Sequence, residues 1–179
     1  MMDSTVTEYT GNTAARERNL HADPAMLAES RLGTELLPEE CDALAAELEV
    51  LPLDDGQVLC QEGERDSALY VLAAGKIEVV NLVDGQEEVV YRMSVGETAG
   101  TRVFIDRGRR RSTLRADGES TVYALQPARF EALIKSQPFM VYKVMRALLK
   151  ITHSNLMRMN RESEALSNYV THRGLYTRY

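Results

Sequence analysis

The sequence predicts a mainly β domain, a sandwich or barrel, set between helical segments. Three observations carry that prediction. From Gly56 to Leu125 apolar residues alternate with polar ones, the period of a half-buried strand. Turn signals interrupt this region roughly every 8 to 12 residues, the spacing of short antiparallel strands. On either side, from Pro38 and from Pro127, apolar residues recur at three and four instead.

The chain of 179 residues is long enough for one domain with appendages. Residues 1–30 are polar, broken by Gly11 and Pro24, and without a sustained period. They read as a flexible tail, with a short helix near Met26 to Arg31. The next helix should begin at Pro38, because a first helical position needs no amide donor. Glu39 and Glu40 then sit at the positive end of its dipole. Leu37, Cys41, Leu44, Ala45 and Leu48 give it one buried stripe.

After Pro52 the period becomes two. Strand candidates are Val58 to Cys60, Leu69 to Leu72, the Ile77, Val79 and Leu82 series, Ser112 to Ala116, and Thr121 to Leu125. Turns are expected at Asp55-Gly56, Glu62-Gly63, Ala74-Gly75, Asp84-Gly85, Val95-Gly96 and the hairpin Asp117-Gly118. From Pro127 a short helix presents Phe130, Leu133 and Ile134 and should end near Pro138. A longer helix is expected from Met140 to Ala165. Its apolar positions are Val141, Val144, Met145, Leu148, Leu149, Ile151, Leu156 and Met159, more than one stripe. One stripe suits the barrel; the second suits another copy of the chain, with Asn155 helping to set register, so a homodimer is expected. Residues 167–179 read as a C-terminal tail.

Composition excludes several function classes. Net charge is −6, which argues against general nucleic-acid binding. No apolar run approaches the roughly 20 residues of a membrane span, and the start lacks a signal-peptide pattern. The two cysteines, Cys41 and Cys60, form no disulfide framework and read as reduced core residues. A cytoplasmic location is expected. All three histidines, His21, His153 and His172, fall outside the strand candidates, so a metal enzyme on this architecture is not expected. No nucleophile–base arrangement can be placed either. The expectation is a non-enzyme without a cofactor.

Against the acidic background stands Gly96 to Ala116, with arginines at 102, 107, 109, 110, 111 and 115. Guanidinium groups bind phosphate oxygens through planar, charge-assisted hydrogen bonds. A charged loop in solvent is the plain alternative for such a run.

Two motifs ahead of that segment, Gly56-Gln57-Val58-Leu59-Cys60-Gln61-Glu62-Gly63-Glu64 and Ala68-Leu69-Tyr70-Val71-Leu72-Ala73-Ala74-Gly75-Lys76-Ile77-Glu78-Val79, resemble those of the cyclic-nucleotide-binding domains. That family includes domains of catabolite activator proteins, protein kinase A regulatory subunits and gated ion channels. The resemblance covers Leu36 to Leu156. It implies an eight-stranded jelly-roll, a cupin-like double-stranded β-helix, with a long C-terminal helix, occupying residues 31–166. The family's phosphate-binding cassette runs from a Gly-Glu, through an apolar pair, to an Arg ten residues after the Gly. With Phe104-Ile105 as the apolar pair, Gly100 takes the cassette Gly and Arg110 the cassette Arg, opening Arg110-Arg111-Ser112-Thr113-Leu114-Arg115-Ala116.

In this register Glu97 belongs to the turn before the cassette, and Thr101 stands where the family carries its ribose-binding Glu. Loss of that charge-assisted bond, roughly 1.5 to 3 kcal/mol, would weaken a cyclic mononucleotide about ten- to a hundredfold. The resemblance therefore implies Arg110 as principal anion contact, with the amides near Gly100 and Thr101. Ser112, Arg111, Arg109 and Glu97 complete the candidate set. Flanking Arg109 and Arg111 also suit a ligand with more than one phosphate, such as a cyclic dinucleotide, although strand alternation would aim them away from Arg110. The implied function is a regulatory sensor of a cyclic mononucleotide or dinucleotide. Too few residues follow the long helix for a DNA-binding helix-turn-helix, so the sensor is expected to signal through an unknown protein effector. The alternative is a ligand-free interaction and dimerisation module.

Overall fold

The computed structural model describes residues 20–175. Two short helices, α1 (Pro24–Glu29) and α2 (Pro38–Ala45), precede the strands β1 (Leu48–Leu53), β2 (Val58–Cys60), β3 (Leu69–Ala74), β4 (Ile77–Val83), β5 (Gln86–Met93) and β6 (Thr98–Ala99). A one-and-a-half-turn helix, α3 (Thr101–Asp106), leads to β7 (Thr113–Ala116) and β8 (Ser120–Leu125), and α4 (Pro127–Ser136) and α5 (Pro138–Leu175) close the described chain.

The strands form two four-stranded antiparallel sheets, ordered β1-β8-β3-β6 and β2-β7-β4-β5. Leu69-Tyr70-Val71-Leu72 is buried throughout because the first sheet is covered on both faces. Leu69 and Val71 meet the helices with Leu27, Leu44, Tyr123 and Val144. Tyr70 and Leu72 face the second sheet with Ile77, Met93, Leu114 and Val122. A strand packed on both faces loses the polar alternation of a surface strand. The β4–β5 hairpin turns at Asp84-Gly85, both at positive φ, between the paired Val83 and Gln86. Positive φ at both central residues matches the twist of the flanking strands.

Several expectations are corrected. Residues 1–19 lie outside the described part, but the rest of the segment expected as a tail, residues 20–30, is built into the domain. Asp23 caps α1 by accepting the Ala25 amide at 2.9 Å, and Ala22 and Leu27 join the helix-side core. These two side chains, with the partly buried Met26, dock a polar stretch, since burying one residue of leucine size contributes about 1.5–3 kcal/mol. Leu48, assigned to the helical stripe, begins β1 instead. That strand carries Pro52 on an edge of its sheet, where a missing amide donor interrupts no central ladder. Leu37 is half exposed, not part of the buried stripe.

The last helix starts at Pro138, two residues before the expected Met140, and its backbone stays helical to Leu175. Residues 167–175, expected as part of a C-terminal tail, continue this helix, since neither proline nor a turn signal interrupts them before Gly174, and residues 176–179 lie outside the described part. On α5, Val144, Ala147, Leu148 and Ile151 are buried, whereas Tyr142, Met145, Leu149, Leu156 and Met159 are exposed. Ion pairs clamp its first half to the N-terminal segment. Glu35 meets Arg146 and Lys150, and Lys143 donates to Glu40 at 2.6 Å. The Lys150 and Arg146 donors hold the Glu35 carboxyl below the usual range. Among the described residues no helix is long and apolar enough to cross a membrane.

Candidate functional site

Arg110 is the best-fastened side chain of the arginine segment. Its backbone is pinned first: the Arg110 amide donates to Glu64 O at 2.9 Å and its carbonyl accepts from Gly63 N at 2.8 Å. The guanidinium is then drawn inward, with only 4% of the side chain exposed. Nη2 donates to Asp66 Oδ2 at 2.5 Å and to Ala68 O at 2.7 Å, Nε reaches Asp66 Oδ2 at 3.1 Å, and the group stacks 4.6 Å from the Tyr70 ring centroid. Asp66 also accepts from Tyr70 Oη at 2.6 Å and from the Ala68 amide at 3.0 Å. Burial alone would raise its carboxyl, but the Tyr70, Ala68 and Arg110 donors outweigh it and the pKa is lowered. Burial and the neighbouring carboxylate raise Tyr70, which stays a neutral donor.

The remaining amine of Arg110, Nη1, lies against Gly100. Gly100 has φ of 84° and caps α3, and a Cβ there would fall 2.2 Å from that Nη1 and 2.8 Å from Ala68 O. Only glycine adopts this conformation cheaply and lets the guanidinium approach the start of α3. Behind the helix Phe104 packs on Phe130, ring centroids 5.5 Å apart, and Arg107 pairs with Glu131 of α4.

These groups open onto a cavity of about 300 Å³. Val79, Met93 and Leu114 of the second sheet line it, as do Thr98 to Val103 and, from α5, Ile151, Asn155 and Arg158. Among the described residues five arginines (31, 102, 110, 111 and 158) border it against one carboxylate, Glu97. Thr98 Oγ1 is buried there without a hydrogen-bond partner among the described residues.

Of the seven residues singled out in the sequence, Gly100, Thr101, Arg110, Arg111, Ser112 and Glu97 border this cavity. Arg109 does not. It is exposed, donates to Gly63 O at 2.6 Å, and lines an outer cleft with Glu62, Gly63, Arg102 and Arg111. Arg109 and Arg111 are exposed where Arg110 is buried, as alternation would have it, although residues 109–111 are not strand because β7 starts only at Thr113. Arg111 is exposed at the border of both openings, without a partner among the described residues. Glu97 stands in the turn between β5 and β6, accepting from Ser94 N at 3.0 Å, from Tyr91 Oη at 2.8 Å and from Arg31 at 2.7 Å.

Sequence reasoning missed Asp66, Arg31, Tyr91 and Arg158 as site residues, and it assigned Asn155, which lines the cavity, to the register of a dimer seam. Asp66 had a faint signal, an acidic residue two positions before the buried run Ala68 to Leu72, where Asp closes a turn. Arg31 was expected only as the end of a short helix at the edge of the tail. Arg158 lies 48 positions from Arg110 in the chain, and only the path of α5 over the sheet brings it to the cavity.

A family model described as cyclic nucleotide-binding domain matches residues 50–137. A cyclic AMP receptor protein of Thermus thermophilus is 26% identical over 116 residues, 64% of this chain and 54% of the relative. The chain also matches longer lysophospholipases and ion channels, spanning 7% to 15% of their length. Among solved structures, the catabolite activator protein of Thermus thermophilus superposes with a TM-score of 0.68 at 27% identity, over 77% of this chain and 63% of that one. A cyclic nucleotide-binding domain from Methylobacillus flagellatus reaches 0.71 at 16% identity, over 75% and 79%, a likeness of fold alone.

Proposed function

We propose that this chain, which belongs to the cyclic nucleotide-binding domain family, is a regulatory sensor that holds a cyclic nucleotide in the cavity beside α3. One observation carries the reading. A buried guanidinium, Arg110, is aimed with one free amine at the glycine that opens a short helix, inside a cavity bordered by four more arginines. An anion there meets a fixed cation together with the backbone amides at the start of α3, and Thr98 Oγ1 is a further group without a partner among the described residues. The two sheets act as a jelly-roll frame that keeps these groups in place, and the chemistry asked of them is binding, not turnover.

A cyclic mononucleotide is the first ligand to test, in keeping with the name of the Thermus relative. The excess of arginines over carboxylates in the lining also suits a cyclic dinucleotide, with Arg111 taking the second phosphate. The ligand-free alternative has its own support: Asp66 already neutralises Arg110, and Thr101 supplies no carboxylate. Output would pass through a homodimer formed on α5 and a protein effector in the cytoplasm. Tyr142, Met145, Leu149, Thr152, Leu156 and Met159 are exposed at alternating spacings of three and four, the seam of a two-stranded coiled coil.

Calorimetry with cyclic AMP, cyclic GMP, cyclic di-GMP and cyclic GMP-AMP tests the reading. Binding of one or more, abolished in Arg110→Ala, is the expected result. Thr101→Glu should tighten a cyclic mononucleotide about tenfold or more if the missing carboxylate limits affinity. No binding to any of the four leaves the interaction-module reading in possession.

A further inference from the structure

The outer cleft meets the cavity at Arg102, Arg110 and Arg111, which border both openings. Its volume is about 610 Å³, and Glu62, Gly63 and Arg109 complete its lining. Arg110 is buried and already paired with Asp66, whereas Arg102, Arg109 and Arg111 are exposed. Among the described residues one carboxylate, Glu62, lies against them in this cleft. Its Oε2 accepts from Leu82 N at 3.5 Å, and it forms no ion pair with the arginines.

The guanidinium groups are positioned but not used up. Arg102 Nη2 donates to Arg109 O at 2.6 Å, while its Nη1 binds Asp106 at 2.8 Å. Arg109 Nη1 donates to Gly63 O at 2.6 Å. A guanidinium has five N–H donors, so Arg109 keeps most of its own. Arg111 keeps all five, having no partner among the described residues. Such a cleft is an unneutralised cationic patch on a chain of net charge −6.

Spacing and surroundings define what fits it. Arg109 and Arg111 are two positions apart and both line the cleft. An extended acidic segment repeats its carboxylates every second residue on one face, roughly 6.5–7 Å apart, which suits two guanidinium groups so placed. Leu82 is 62% exposed and adjoins the cleft through Glu62, an apolar edge that a peptide covers and a free phosphate does not. A nucleic acid is disfavoured, because the rest of the surface carries the net negative charge and repels a polyanion. We infer that this cleft docks an acidic segment of a partner protein, gripped by Arg109 and Arg111 with Arg102 beside them. Such docking goes beyond the nucleotide reading and needs no ligand in the cavity.

Fluorescence anisotropy on the nucleotide-free protein tests it, with a fluorescein-labelled peptide Glu-Ser-Glu-Ser-Glu-Leu as probe. Its glutamine counterpart, inorganic phosphate and a short oligothymidylate serve for comparison. The acidic peptide should bind about tenfold or more tightly than the glutamine peptide, from three carboxylates each worth an exposed ion pair. Raising the ionic strength from about 0.01 to about 0.15 M shortens the Debye length from about 30 to about 8 Å and should weaken binding severalfold. Arg111→Gln, which removes a side chain with no partner to lose, should weaken it about two- to fivefold, and Arg109→Gln with Arg111→Gln about tenfold. Arg129→Gln, the same charge change at an exposed site on α4, should leave it within about twofold. Equal binding of the glutamine peptide, a double variant that binds like the wild type, or no peptide binding overturns the proposal. Loss of binding in Arg31→Gln with Arg158→Gln also overturns it, because those arginines line only the cavity. Tighter binding of phosphate or oligothymidylate than of the peptide does the same. None of these outcomes touches the nucleotide reading, which is decided by Arg110→Ala in calorimetry.

Discussion

Replacing Asp66 by Asn perturbs the contact on which the cavity's cation depends. The Arg110 side chain is 4% exposed and that of Asp66 21%. Breaking a buried ion pair by removing one partner costs about 3–5 kcal/mol, because the other charge stays behind uncompensated. Partial exposure of Asp66 screens the pair, and Asn retains one acceptor oxygen for Arg110 or Tyr70. The expected loss is therefore about 2–3 kcal/mol, below or at the bottom of that range. For a chain of this size each kcal/mol moves the midpoint by roughly 2–4 °C, so thermal unfolding should fall by about 4–12 °C.

The pH dependence gives an independent check. Asp66 has a folded pKa below its unfolded value, so its contribution is complete above about pH 4 and is lost as the pH falls through the folded pKa. Urea unfolding of both proteins between pH 3 and pH 8 should show a gap that is widest near neutrality and narrows in acid. Saturating nucleotide should narrow it as well, since the ligand's anion gives Arg110 a replacement partner. A variant within about 0.5 kcal/mol of wild type at pH 7, or a gap that widens in acid, would refute the assignment of Asp66 as the charge partner of Arg110.

Three further outcomes are expected. Gly100→Ala combines a left-handed backbone, which costs a non-glycine residue roughly 1–2 kcal/mol, with a Cβ 2.2 Å from Arg110 Nη1; calorimetry should register at least a tenfold loss of nucleotide affinity, and unchanged affinity would contradict the close approach of the two groups. Leu149, 70% exposed on α5, sits in the second apolar stripe, so Leu149→Glu should convert a dimer to a monomer in light scattering at tens of micromolar without altering the circular dichroism; a wild-type monomer would remove the seam from the account. Burial pushes the Cys60 thiol up to about 11, leaving roughly one thiolate in a thousand at pH 8, so iodoacetamide should alkylate Cys60 only when the protein is unfolded; rapid labelling of the native protein, read by mass spectrometry, would contradict its burial.

Local chemistry determined a large share of this molecule. Turn residues and period-two runs are short-range signals, so β2, β3, β4, β7 and β8 were legible, as was the hairpin at Asp84-Gly85. Helix starts at Pro38 and Pro127 were equally local, because a proline at the first helical position needs no distant partner. The spacing of Gly100, Thr101 and Arg110 also lies within eleven consecutive residues, and short connections limit how far apart such groups can settle.

What the tertiary structure alone decided depends on who meets whom across the chain. β1 and β5 gave no clear alternation: Pro52 obscured the first, and the second exposes Val89 and Val90 on the edge strand of its sheet. The N-terminal segment is polar in composition yet docks, because Leu27 and Leu32 find a surface prepared by β3, β8 and α5. Asp66 became the partner of Arg110, Arg31 that of Glu97, and Arg158 that of Tyr91, through pairings 44, 66 and 67 positions apart. No periodicity records such contacts. The sign and number of charges in the binding segment are written in the sequence, but whether each guanidinium is neutralised, exposed or aimed into the cavity is set by the packing of two sheets against α5.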